Sequence, residues 1–85
     1  MGDKAVRSVG TASYDALAAL MLQLRFEANL TQDQLAKKVG RHFTWVSKIE
    51  RGTRRLDLVE LCEVADALGL DPAEIVRRFR ASVGK

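Results

Sequence analysis

The stretch TQDQLAKKVGRHFTWVSKIERG, residues 31–52, decides how this chain is read. Thr31 with Gln34 three residues on forms a capping-box pattern, in which two free N–H groups at a helix start are satisfied reciprocally. Leu35 and Val39, four apart, share the buried face of that helix. Gly40 closes it, because glycine takes the positive backbone angle of a turn without a side-chain clash. A second helix is expected over residues 43–51, stopped at Gly52. Ala36 is small enough to let the two helices cross closely, and Val46 with Ile49 buries the second against the first.

Two short helices joined by a turn that starts with glycine follow the pattern of a helix-turn-helix, whose second helix enters the DNA major groove. At 100° per residue, with Val46 and Ile49 facing inward, the opposite side presents Thr44, Ser47, Lys48 and Arg51. Lysine donates to guanine O6 and N7, and threonine offers a hydroxyl and a methyl group to thymine. Arg51 reaches phosphate, as do Arg41 in the turn and Arg54 and Arg55 in the loop after Gly52. His42 is a poor helix cap and is expected as a solvated turn residue, with a DNA contact as the second reading. Phe43 has two readings: contact with a thymine methyl or a base step, or packing on the first helix of the pair. Trp45, on the flank, is a packing or backbone-lining residue.

Charge follows the same division. Residues 37–55 hold seven bases (Lys37, Lys38, Arg41, Lys48, Arg51, Arg54, Arg55) and one acid, Glu50, a net of +6. Residues 56–76 hold six acids (Asp57, Glu60, Glu63, Asp66, Asp71, Glu74) and no base, a net of −6. The overall charge of +3, from 14 Lys and Arg against 11 Asp and Glu, is the remainder of these opposed blocks. A basic stretch on a reading helix and its loop is the electrostatic footprint of a nucleic-acid partner.

Outward from this centre the pattern stays helical. Residues 1–12, with Lys4 and Arg7, are expected as a flexible arm, either solvated or wrapped on DNA. The domain spans residues 13–80, and 81–85 form a short tail. Ser13 is expected to cap a first helix whose apolar face is Tyr14, Leu17, Ala18, Met21, Leu24 and Ala28, ended by Asn29. Asp57 and Glu60 form a second cap-like pair, opening a helix with Leu58, Leu61, Cys62, Ala65 and Leu68 on one face. Asp71-Pro72-Ala73-Glu74 starts a last helix: cap, proline at the first helical position, carboxylate at the third. Its apolar side, Ile75, Val76 and Phe79, is the expected homodimer element. Arg77, Arg78 and Arg80 remain solvated or pair with the partner's acidic face. The expected fold is all-α, a compact five-helix domain.

At 85 residues and 9.4 kDa there is room for one domain. Cys62, the sole cysteine, excludes a disulfide framework and is expected as a core thiol. His42, the sole histidine, leaves little for a metal cluster, and no cofactor is expected. The longest apolar run, residues 16–22, is far short of the ~20 residues of a membrane helix. The chain is therefore expected in the cytoplasm, with no membrane association. No nucleophile–base pair or substrate pocket suggests an enzyme.

Three blocks, LRFEANLTQDQLAKKVG, WVSKIERG and LCEVADALGLDP, stand in this order. Over residues 20–79 the chain resembles the Cro/repressor-type helix-turn-helix family, also called the xenobiotic response element (XRE) family. The resemblance implies a lambda-repressor-like five-helix domain that binds operator DNA as a dimer. It places Gln32 and Arg51 at backbone contacts, puts Phe43, Thr44 and Lys48 at base-reading positions, and implies an ion pair between Arg25 and Glu50. The sequence departs from the family in the turn, where Arg41-His42-Phe43 replaces small polar residues. The implied function is a transcription regulator, a repressor or autoregulator binding double-stranded DNA on half-sites about 34 Å apart. Phage-type repressors, restriction–modification controllers and antitoxins all fit this size. The alternative from another class is an antitoxin that neutralises a protein partner. A protein-only module using Phe43 and Trp45 as anchors would associate independently of salt.

Overall fold

The computed structural model describes residues 11–84 and holds five helices: α1 (Ala12–Glu27), α2 (Gln32–Lys38), α3 (Phe43–Glu50), α4 (Leu58–Leu68) and α5 (Pro72–Ser82). Lys4 and Arg7 of the expected arm lie outside the described residues. The first helix starts earlier than Ser13. Thr11 is its cap, accepting from the Tyr14 N–H at 3.2 Å. The Tyr14 hydroxyl accepts from the Leu56 N–H at 3.0 Å and donates to the Leu56 carbonyl at 3.3 Å. That double bond anchors the first turn of α1 to the loop before α4.

The other boundaries follow local chemistry. Asn29 takes the left-handed conformation after α1, with φ 59°. Both capping boxes form, Thr31 with Gln34 at α2 and Asp57 with Glu60 at α4. Asp71 caps α5 at 2.9 Å, followed by Pro72 in the first turn. Gly52 sits at φ 75°, a left-handed backbone conformation that requires glycine; an added Cβ would stand 3.3 Å from an Asp15 carboxylate oxygen.

α2 and α3 pack on each other, α3 packs on α1, and α5 closes the far side against α1 and α4. Leu20, Met21, Leu24, Leu35, Ala36, Trp45, Val46, Ile49, Val64, Ala65 and Ile75 form one core. Truncating a buried leucine such as Leu24 or Leu35 to alanine would cost about 2–5 kcal/mol. The inward face of α4 is rotated from the expected one. Val64 and Ala65 are fully buried, whereas Leu58 is 72% exposed and Cys62 only half-buried. Glu60, one turn before Val64, is buried on the same side and meets two arginines there. No described helix is long and apolar enough to cross a membrane.

Candidate nucleic-acid interface

The placement of α3 begins with the turn. Arg41 N–H closes it by donating to the Ala36 carbonyl at 2.8 Å, past Gly40 at φ 72°. His42 then caps α3: its Nδ1 accepts from the Thr44 N–H at 3.3 Å and lies 3.0 Å from the Thr44 hydroxyl. This corrects the expectation of a mere solvated turn residue. A neutral imidazole nitrogen is an acceptor on a short side chain, which the first free N–H groups of a helix can use.

The inner face of α3 is Trp45, Val46 and Ile49, all buried. Trp45 is thus a packing residue, and its indole Nε1 finds no acceptor among the described residues. Phe43 is 44% exposed, with its ring centroid 4.6 Å from that of His42. It lines an open cleft with Phe26, Leu30 and Gln32. Phe26 is an exposed aromatic that helical periodicity passed over, because it falls outside the apolar face of α1. Thr44 and Lys48 are exposed on the outer side of α3, with Arg51 at its cap; Ser47 is only half-exposed.

The end of α3 is held by a salt bridge. Arg25 Nε donates to Glu50 Oε2 at 2.7 Å and Nη2 to Oε1 at 3.0 Å. Arg25 Nη1 also donates to the Leu30 carbonyl at 2.8 Å, and Gln32 Nε2 donates to Glu50 Oε1 at 3.1 Å. Both charged side chains are nearly fully buried. The Gln32 amide, expected at phosphate, is therefore engaged with Glu50.

The basic residues divide into two sets. Lys48, Arg51 and Arg55 form no ion pair among the described residues and are exposed. Arg41 and Arg54 are not free. Arg54 grips Glu60 with two bonds of 3.0 Å, and Arg41 lies 3.5 Å from the same carboxylate and 3.4 Å from Glu63. Their guanidinium groups lie 4.7 Å (Arg41) and 5.6 Å (Arg54) from the centroid of the Trp45 ring. The hydrogen bonds from Arg54 hold the Glu60 carboxyl below the usual carboxylate range, and those same bonds raise Arg54. Both guanidinium groups, expected at phosphate, are paired with acids in the free chain. A nearby acid claims them because burying its charge without partners would be costly.

The expected dimer residues also separate. Ile75 is 1% exposed and belongs to the core, so it cannot supply an intermolecular contact. Val76 is exposed and Phe79 half-buried, sharing a groove with Leu58; Val59, the next residue of α4, is 67% exposed. Leu17, Leu58, Leu61, Val76 and Phe79 border an apolar groove of about 140 Å³. Within the chain, Arg78 pairs with Glu27 at 2.9 Å and Arg77 with Glu74 at 2.9 Å, so neither is purely solvated.

The family model described as a helix-turn-helix domain matches residues 16–78. The control protein C.BamHI of Bacillus amyloliquefaciens is 36% identical over 50 residues, covering 59% of this chain. This chain spans 62% of the length of C.BamHI. The crystal structure of the restriction-modification controller protein C.AhdI from Aeromonas hydrophila is similar with a TM-score of 0.72 at 31% identity, over 76% of this chain and 98% of that one. The controller C.Esp1396I, solved as a tetramer with its natural 35 base-pair operator, has the same fold. Its TM-score is 0.79 at 23% identity, over 88% of this chain and 99% of that one.

Proposed function

The chain belongs to the helix-turn-helix domain family, and from that premise we propose that it is a sequence-specific DNA-binding transcription regulator acting as a homodimer in the cytoplasm. The observation that carries this reading is the outer side of α3. Thr44, Lys48 and Arg51 are exposed there while Val46 and Ile49 are buried behind them. A helix held in this way presents hydrogen-bonding and cationic groups to a groove, with its angle set by the core.

In this reading Phe43, Thr44 and Lys48 read base edges, with Ser47 at the margin, and Arg51 and Arg55 grip phosphates. Gln32, turned toward Glu50, reaches the backbone through the α2 start. Dimerisation uses Leu58, Val59, Val76 and Phe79. One reading helix buries too little for selective binding, so two copies on a two-fold operator are required. The relatedness to C.BamHI and C.AhdI supports a repressor or autoregulator of the controller kind over a neutraliser of a protein partner. Family and fold are those of regulators, and no enzymatic role is proposed.

The test is selection of bound sites from random duplex DNA, with gel-shift stoichiometry of the recovered site. A two-fold motif bound by two chains is expected. Recovery of no enriched motif, with unaltered protein that is folded, would remove the DNA-reading role.

A further inference from the structure

Glu60 stands out because it is an acid placed behind a DNA-facing surface. Its side chain is only 7% exposed, yet it is not a simple ion-pair partner. One carboxylate meets two guanidinium groups that come from opposite ends of α3: Arg41 from the turn before it and Arg54 from the loop after it. Both lie over Trp45, a residue of α3 itself. Arg54 is locked further, since its Nη1 also donates to the Arg55 carbonyl at 2.7 Å. Three of its five N–H donors are therefore committed, including the pair that would form a fork on a phosphate.

Building on the DNA-binding reading, we infer that Glu60 is an internal phosphate competitor that withholds Arg41 and Arg54 from DNA backbones and so lowers binding to non-cognate sequence. With Glu63, which also pairs with Arg41 at 3.4 Å, the two arginines meet two acids and the cluster carries no net charge; loss of the Glu60 charge leaves it at +1, with Arg54 the arginine that is freed. Non-specific affinity comes almost wholly from phosphate neutralisation, whereas base readout by α3 is unaffected by Glu60. Removing the Glu60 charge therefore strengthens binding to any duplex more than to the selected site, and narrows the ratio between them. The residue acts on DNA only through the arginines; it is a specificity-setting and positioning residue. Its capping role is separable, because glutamine at the same position accepts the Asp57 N–H that Glu60 now accepts at 3.0 Å.

The experiment measures binding of the unaltered chain, Glu60→Gln and Glu60→Gln/Arg54→Ala to the selected site and to a random duplex, across a salt series. The slope of log affinity against log salt steepens by about 0.9 for each phosphate newly contacted. Glu60→Gln is expected to steepen the random-duplex slope by about that amount, tighten random binding more than site binding, and lose the excess in the double variant. Equal slopes for Glu60→Gln and the unaltered chain, or a uniform weakening on both duplexes, would overturn the inference and leave the DNA reading intact. No duplex binding by the unaltered chain would overturn both. If Glu60→Gln does not fold, Arg54→Gln and Arg55→Gln decide. Flattening by Arg55→Gln but not by Arg54→Gln is expected, and equal flattening contradicts withholding.

Discussion

Arg25 and Glu50, twenty-five residues apart, form a two-pronged salt bridge with bonds of 2.7 and 3.0 Å that ties the end of α1 to the end of α3. Because both side chains are nearly excluded from water, each depends on the other.

Removing either partner alone leaves an uncompensated buried charge. Arg25→Ala or Glu50→Ala is expected to cost about 3–5 kcal/mol in denaturant unfolding. Replacing both with apolar residues of similar volume, Arg25→Met with Glu50→Leu, is expected to cost much less than the sum of the single changes. Additive losses would show that the two residues are not energetically coupled.

Lys48 is the exposed cation in the body of α3, and its ammonium forms no ion pair among the described residues. Lys48→Ala is expected to weaken binding to the selected site by about 1–3 kcal/mol and to relax one base position. Repeating site selection with the variant checks this. An unchanged motif removes Lys48 from base reading.

Val59 projects from the first turn of α4 and contributes nothing to the core. Val59→Asp should leave thermal stability within about 0.5 kcal/mol, as surface changes do. It is expected to convert a dimer to a monomer in sedimentation equilibrium and to abolish two-copy operator complexes. A persistent dimer would locate the interface elsewhere.

Glu60 is held ionised by Arg54, so its folded pKa lies below the unfolded value of about 4.3. Such a depressed acid adds stability above the unfolded value, and that contribution disappears as pH falls through the folded value. The stability gap between the unaltered chain and Glu60→Gln should therefore be largest near neutrality and shrink below about pH 4. Thermal unfolding of both proteins from pH 7 to 3 measures it. Glu27, also depressed by its bonds to Arg78, is common to both and cancels in the difference. A gap independent of pH would mean that the charge of Glu60 does not contribute.

What was legible in the sequence was local. Thr31 with Gln34, Asp57 with Glu60, Asp71 with Pro72, and the glycines at 40, 52 and 69 lie within a few residues of the groups they satisfy. Capping and backbone angles act over that range, so the five helices and the helix-turn-helix order could be read directly. His42 caps α3 from an exposed turn position although histidine is a weak capping residue, because its Nδ1 lies within reach of the Thr44 N–H.

The sequence by itself determined the helices, the Val46 and Ile49 side of α3, and the opposed basic and acidic blocks. Only the tertiary structure decided which of those charges are available. Seven bases in residues 37–55 look equivalent in a list, yet Arg41 and Arg54 are bound to Glu60 while Lys48, Arg51 and Arg55 are free of ion pairs among the described residues. It also decided that Ile75 fills the core while its neighbour Val76 faces outward. The reason is physical: a cap is settled within one turn, but the partner of a long charged side chain depends on which helices meet. Burial then makes that choice costly to reverse.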